Sequence, residues 1–174
     1  MCSSDLVSLA NSAALIARPE THGDWVRPGI MLYGDNPLRT RHELPLWQAM
    51  TLRSRVVAIR EIDTGESVGY NGRWTSARPS RIGTIGIGYG DGYPRHVCSG
   101  TPVLINGLRA PLVGRVSMDS LTIDVTGCGH VSAGDEVILW GPELPAAMIA
   151  ECADTISYEL FTSVTQRVMR HYDE

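Results

Sequence analysis

A mainly β fold, a compact barrel or sandwich, is what the sequence predicts from Thr51 onward, and two observations carry the expectation. Runs of strand length recur at regular spacing: Leu52 to Ile62, Arg81 to Gly88, Pro102 to Ile105, Leu121 to Val125 and Glu136 to Leu139. Turn residues stand between them, Asp63-Thr-Gly65, Asn106-Gly107 and Ala133-Gly-Asp135. Evenly spaced strands joined by glycine-bearing polar turns characterise all-β sandwiches and barrels.

The first 34 residues read differently. Leu9 to Ala17 is rich in alanine and leucine and predicts a short helix, whereas Gly29-Ile-Met-Leu-Tyr33 is an apolar run of strand length closed by Gly34. Residues 35–50 carry Pro37 and Pro45 with Arg39, Arg41 and His42 between them, which predicts a linker. The expected organisation is therefore an N-terminal piece over 1–34, a linker over 35–50 and a β-domain over 51–174. Thirty-four residues are too few to fold alone, so the first piece is either an extension of the β-domain or the tail of another domain. Two helices are expected at the other end. Pro145 to Ala153 opens with proline, which suits a first helical turn, and Asp154-Thr155 is expected to cap a segment whose Ile156, Leu160, Phe161 and Val164 share a face.

Composition excludes several function classes. The chain of 174 residues is 43% hydrophobic and 20% charged, ordinary for a globular protein. A net charge of −4, with arginines scattered along the chain, offers no positive field to a phosphate backbone, so nucleic acid is a poor partner. Cys2, Cys98, Cys128 and Cys152 form no Cys-x-x-Cys pair, which argues against zinc and against a disulfide framework, and points to reduced thiols in the cytoplasm. His130 beside Cys128 lacks a second ligand pair, so no metal site is expected. Asp5 stands where a signal peptide needs a basic residue, and no run has the apolar length to span a bilayer.

Taken singly, the motifs allow plain structural readings. Asn11-Ser12 is a helix cap, Gly29-Ile30 strand core and Arg27 a surface residue before a Pro-Gly turn. Tyr70 is an edge-strand aromatic and Met118 core packing. The glycines at 86, 88, 90 and 92 do not fit a dinucleotide fingerprint and read as a tight loop.

Taken together, Ala10-Asn-Ser-Ala-Ala14, Arg27-Pro-Gly-Ile-Met-Leu-Tyr-Gly34, Val68-Gly-Tyr-Asn-Gly-Arg-Trp74, Gly88-Tyr-Gly-Asp-Gly-Tyr-Pro-Arg95, Gly114-Arg-Val-Ser-Met-Asp119 and Ile156-Ser-Tyr-Glu159 closely resemble alanine racemase. Six motifs in the right order and at family-like separations carry what none carries alone. The resemblance implies a C-terminal β-barrel-like domain preceded by a remnant of an N-terminal (β/α)8 barrel. It implies an isomerase that interconverts L- and D-alanine with pyridoxal 5'-phosphate, supplying cell-wall precursors.

Site residues follow from the same resemblance. Ser12, the amides of Gly29 and Ile30, and Tyr158 match the groups that hold the cofactor phosphate. Arg27 matches the arginine facing the pyridine nitrogen. Tyr70 matches the tyrosine that exchanges the α-proton on one face. Met118 matches the residue whose amide binds the substrate carboxylate, and Tyr89 matches an entryway tyrosine. The family works as a head-to-tail homodimer, in which the residues matching Tyr70, Tyr89 and Met118 serve the partner's cofactor. Those matching Ser12, Arg27, Gly29, Ile30 and Tyr158 serve their own.

One departure limits the expectation. The chain has fifteen arginines and no lysine, whereas the family holds its cofactor aldehyde on a lysine amine. The chain by itself is therefore expected to be inactive, and Met1 to Leu6, which is also the translation of a common sequencing-adapter end, is expected to be an artefact of an incomplete gene. Two rival readings remain at this point: a non-catalytic β-barrel binding module, and a fragment of another pyridoxal-phosphate barrel enzyme such as a broad-specificity racemase or a decarboxylase.

Overall fold

The computed structural model describes residues 5–38 and 44–172. Residues 1–4, within the expected artefactual start, and 39–43, within the expected linker, lie outside the described residues. The chain divides into two compact units, one ending at Met50 and one beginning at Thr51.

In the first unit, helix α1 spans Ser12–Ala17 and starts where Asn11 caps it, Oδ1 accepting from the Ala14 amide at 3.0 Å. The segment before it runs parallel to the segment around Arg27, whose amide donates to Ala10 O at 2.8 Å. The expected strand over Gly29 to Tyr33 is absent; Ile30–Tyr33 is a 3-10 turn instead. A five-residue apolar run has no period that separates strand from helix, and Gly34 closes it as a helical C-cap, with φ 83° and its amide turned to Ile30 O and Met31 O. Only Ile30 of that run is buried; Leu32 and Tyr33 are exposed. Residues 44–50 carry no helix or strand, and Ala49 folds back to donate to Tyr33 O at 3.2 Å.

The second unit is the β-domain. Strands β1 (Leu52–Ile62), β2 (Ser67–Val68), β3 (Trp74–Thr75), β4 (Ser80–Ile85), β5 (Pro102–Ile105), β6 (Leu108–Pro111), β7 (Leu121–Asp124) and β8 (Glu136–Trp140) precede helices α2 (Ala146–Cys152) and α3 (Ser157–Ser163). Six of the strands form one antiparallel sheet in the order β6-β5-β8-β1-β4-β7. Its two edges meet through the Leu112 to Ile123 bridge and the 2.8 Å bond from Val113 N to Thr122 O, so the sheet closes on itself.

Strand β1 serves both halves of that barrel. Leu52 to Arg55 pair with β8 and Val56 to Ile62 with β4, and register shifts at Leu52/Arg53 and Val56/Ala58 bend it between them. The interior is filled by branched aliphatics, among them Ile82, Ile85, Val103, Ile123, Val137 and Leu139, with Trp140 stacked on Tyr93. The short ribbon β2–β3 is fixed to the barrel through Val68 and Trp74, which pack with Ile62, Ile82 and Val113.

The expected cap of the last helix is corrected. α3 begins at Ser157 with Ile156 in the cap position, where an aliphatic side chain can make no cap bond, and the Thr155 hydroxyl goes to the Glu159 carboxylate. Ile156, expected on the buried face, is half exposed, while Leu160 and Val164 are buried. No helix among the described residues is long and apolar enough to cross a membrane.

The turn at Ala133-Gly-Asp135 yields a pH prediction. Asp135 Oδ2 accepts from the Ser132 amide at 3.0 Å and from Asn106 Nδ2 at 3.3 Å. The Ser132 amide first, then Asn106, hold this carboxyl below its ordinary value, with the His130 charge adding to them against a small opposing effect of burial. A depressed carboxylate stabilises the fold above the unfolded value, about 3.9, and that contribution is lost as pH falls through the lower folded value. Asp135→Asn should therefore lower the melting temperature at pH 7, and the gap to the parent should close in acid. A gap unchanged at pH 2 to 3 would show that the carboxylate charge is irrelevant.

Candidate active site

The residues singled out by the motifs fall into two groups, one in each unit. In the first unit, Ser12 is buried and its Oγ accepts from the Gly29 amide at 2.8 Å, so two of the expected phosphate-binding groups are neighbours. Ile30 opens the 3-10 turn, where helical geometry leaves amides outside the internal ladder. A buried hydroxyl beside amides at a turn start fits the phosphate end of pyridoxal phosphate in donor chemistry. Arg27 is anchored by Ser8, its Nη1 donating to Ser8 O at 2.5 Å and to Ser8 Oγ at 2.8 Å. Ser8 belongs to none of the motifs, since a lone serine between Val7 and Leu9 gives no sequence signal.

In the second unit, Tyr70 lies in a 3-10 turn, Tyr70–Gly72, at the tip of the β2–β3 ribbon, with its side chain largely exposed. The turn rests on the loop between β6 and β7. Gly114, at φ 78°, makes this possible: a Cβ there would stand 2.9 Å from Val68 O. The same loop carries Met118, four residues on, half exposed.

Tyr89 belongs to a turn, Tyr89–Asp91, laid directly on that loop. Tyr89 N donates to Ser117 O at 3.0 Å and Gly90 N to Met118 O at 2.8 Å. A Cβ at Gly88 would collide with Ser117 O and Met118 O, which explains the glycine at that position of the loop. The expected entryway and carboxylate residues, Tyr89 and Met118, are thus brought together, and the Tyr70 turn meets the same loop at Gly114. Tyr158 sits in the first turn of α3, half exposed.

Folding also assembles a cationic group absent from the motif assignments. Arg95 lies over the Tyr89 ring, 5.8 Å from its centroid. Arg73, three residues after Tyr70, lowers the proton affinity of Arg115 most, followed by partial desolvation and then Arg95. Arg95 thus stacks on Tyr89, and Arg73 and Arg95 both act electrostatically on Arg115, in the loop that carries Met118. Their separation along the chain hid the cluster, although each stands in or next to a motif.

Over nearly its whole length the chain matches one family of known proteins. The family model of the alanine racemase C-terminal domain matches residues 49–172, and that of the alanine racemase N-terminal domain matches residues 2–37. Alanine racemase of Chromohalobacter salexigens is 54% identical over 168 residues, 95% of this chain and 46% of that protein. Alanine racemase of Vibrio vulnificus is 50% identical over 169 residues, 96% of this chain and 47% of that protein. Among solved structures, the biosynthetic alanine racemase of Pseudomonas aeruginosa superposes with a TM-score of 0.94 at 49% identity, covering 98% of this chain and 48% of that one. The Bartonella henselae alanine racemase with covalently bound pyridoxal phosphate gives 0.90 at 38% identity, covering 97% of this chain and 47% of that one. The chain spans about half the length of the relatives it matches. By sequence over nearly its whole length, and by fold, this chain belongs to the alanine racemase family.

Proposed function

We propose that the chain supplies one half of an alanine racemase site: the β-domain over 51–174, with 1–34 a piece of the pyridoxal-phosphate barrel joined by 35–50. The complete enzyme is read as a cytoplasmic homodimer that interconverts L- and D-alanine for peptidoglycan precursors. The observation that carries this reading is the meeting of the Tyr70 turn, the Tyr89 turn and the Met118 loop, with Arg95 over the Tyr89 ring.

Each residue then has a task its chemistry allows. Tyr70 Oη takes and returns the α-proton on one face of the amino acid, and Arg73 closes its turn while Arg115 follows the glycine on which that turn rests. The same cations draw in the substrate carboxylate, which the Met118 amide receives, and Tyr89, stacked under Arg95, narrows the approach. In the first unit Ser12, Gly29 and Ile30 would hold the cofactor phosphate, and Tyr158 of the second unit is assigned to that phosphate by the family resemblance alone. Arg27, a hydrogen-bond donor only, would face the pyridine nitrogen and would disfavour its protonation, and with it side reactions. Pyridoxal phosphate, when bound, supplies the electron sink that acidifies the α-proton.

The chain has no lysine to hold the cofactor covalently. With its N-terminal amine blocked, it should therefore retain no visible absorbance after mixing with pyridoxal phosphate and gel filtration. A stable band on that species would contradict the assigned division of labour.

A further inference from the structure

We propose that Arg167 is a positioning residue that clamps the Tyr89 turn to the Met118 loop and so sets the spacing of two groups bounding the amino-acid site; the inference rests on the racemase reading. Arg167 lies beyond α3, on the segment that returns to these loops. Its Nη2 donates to Asp119 Oδ1 at 2.5 Å, and its Nε stands 3.4 Å from Asp91 Oδ1. It therefore binds one carboxylate on each loop, Asp91 following Tyr89 and Asp119 following Met118.

The second oxygen of Asp91 is also used. Its Oδ2 accepts from the Gly88 amide at 2.9 Å, so the carboxylate that Arg167 engages also closes the turn bearing Tyr89. Thr165, two residues before Arg167, donates from its amide to Asp91 O at 3.0 Å and from its hydroxyl to Gly90 O at 3.0 Å. Gly90 is where the three segments converge: a Cβ there would collide with Arg167 Nη1 and stand 3.0 Å from Met118 O. The guanidinium fork suits this task because its nitrogens reach two acids in fixed directions, which a lysine ammonium does not reproduce.

The clamp works on geometry more than on overall stability. The Asp119 arm is surface-exposed, and exposed ion pairs contribute little to folding. Losing Arg167 should loosen the two loops and leave the barrel intact.

Residue-resolved amide hydrogen exchange on the chain as it stands tests this. Arg167→Gln should speed exchange at Tyr89 and Gly90, whose amides bond to Ser117 O and Met118 O, by about tenfold or more, while Val113 and Val125 keep parental rates. Asp119→Asn should act at the same amides, the double variant should add little, and Arg167→Lys should recover only part of the protection. Should Arg167→Gln fail to fold, Asp119→Asn and Arg167→Lys report on the same amides. Unchanged rates at Tyr89 and Gly90, or acceleration spread evenly over the barrel, would overturn the clamp. In a chain completed with a lysine-bearing barrel, Arg167→Gln should raise KM for alanine more than it lowers kcat. An unmoved KM beside accelerated loop exchange would overturn the substrate-positioning role while leaving the racemase reading standing.

Discussion

Replacing Tyr70 by phenylalanine in a protein completed with a relative's lysine-bearing barrel, fused upstream of Leu9, should lower racemisation by roughly a hundredfold or more, the usual contribution of a positioned acid/base. Racemisation needs a proton exchanger on each face of the α-carbon, and this substitution removes one hydroxyl while sparing the lysine on the other. Cofactor binding should be almost unchanged. The damage should be unequal between directions, with proton removal from L-alanine slowed most, read by loss of deuterium from α-deuterated L- and D-alanine. Tyr70 is largely exposed at a ribbon tip, so the substitution should leave the melting temperature where it was. Full activity in the Tyr70→Phe fusion would remove Tyr70 from the chemistry and leave the fold assignment untouched.

The largest stability effect is expected at Trp140. This residue ends β8, pairs with Leu52 of β1, is fully buried, and stacks on Tyr93 with ring centroids 6.1 Å apart and planes 13° from parallel. Trp140→Ala removes an aromatic ring from the barrel end and leaves a cavity, a change that costs about 3–5 kcal/mol in typical cores. That is a large share of the roughly 5–15 kcal/mol by which domains are stable. Trp140→Phe should cost much less than alanine. It keeps a ring against Tyr93, and it deletes an indole N–H that finds no hydrogen-bond partner among the described residues. The Tyr93 hydroxyl is likewise buried without a partner there, and burial, followed by the Cys152 and Cys98 thiols, pushes its phenol well above the ordinary range. Urea unfolding followed by circular dichroism orders the three proteins. Alanine and phenylalanine variants of equal stability would show that the Tyr93–Trp140 stack is unimportant.

Strands long enough to show their pattern were legible in the sequence. Leu52–Ile62 and Pro102–Ile105 have the bounds their composition predicts, and the runs at 121 and 136 differ by one residue at an end. Strands β2 and β3 were not legible, because two residues carry no period and their place is fixed by packing of Val68 and Trp74 against the barrel. Strand β6 was hidden by its exposed Leu108 and Arg109 and by Pro111, a residue that signals a strand end. The run from Gly29 to Tyr33 misled because its apolar residues are not all buried, and a left-handed glycine turned it into a helical cap.

The candidate site was legible only where its residues sit in contiguous motifs. Tyr70, Tyr89 and Met118 stand out only through the resemblance of their motifs to alanine racemase; read singly, they give an edge-strand aromatic, a tight loop and core packing. The arginine cluster and the Arg167 clamp were not legible. Their members, Arg73, Arg95, Arg115, Asp91, Asp119 and Arg167, are polar residues spread over most of the β-domain, and only the closed sheet brings them together.

The most direct measurement compares alanine racemisation by the chain alone with that by the barrel-completed fusion at equal concentration and with pyridoxal phosphate in excess. The account predicts no racemisation above the uncatalysed background for the chain, and a dimeric, cofactor-binding fusion that interconverts L- and D-alanine. A fusion that folds, dimerises and holds the cofactor yet leaves alanine unracemised, or a chain that racemises alanine without any lysine, would contradict it.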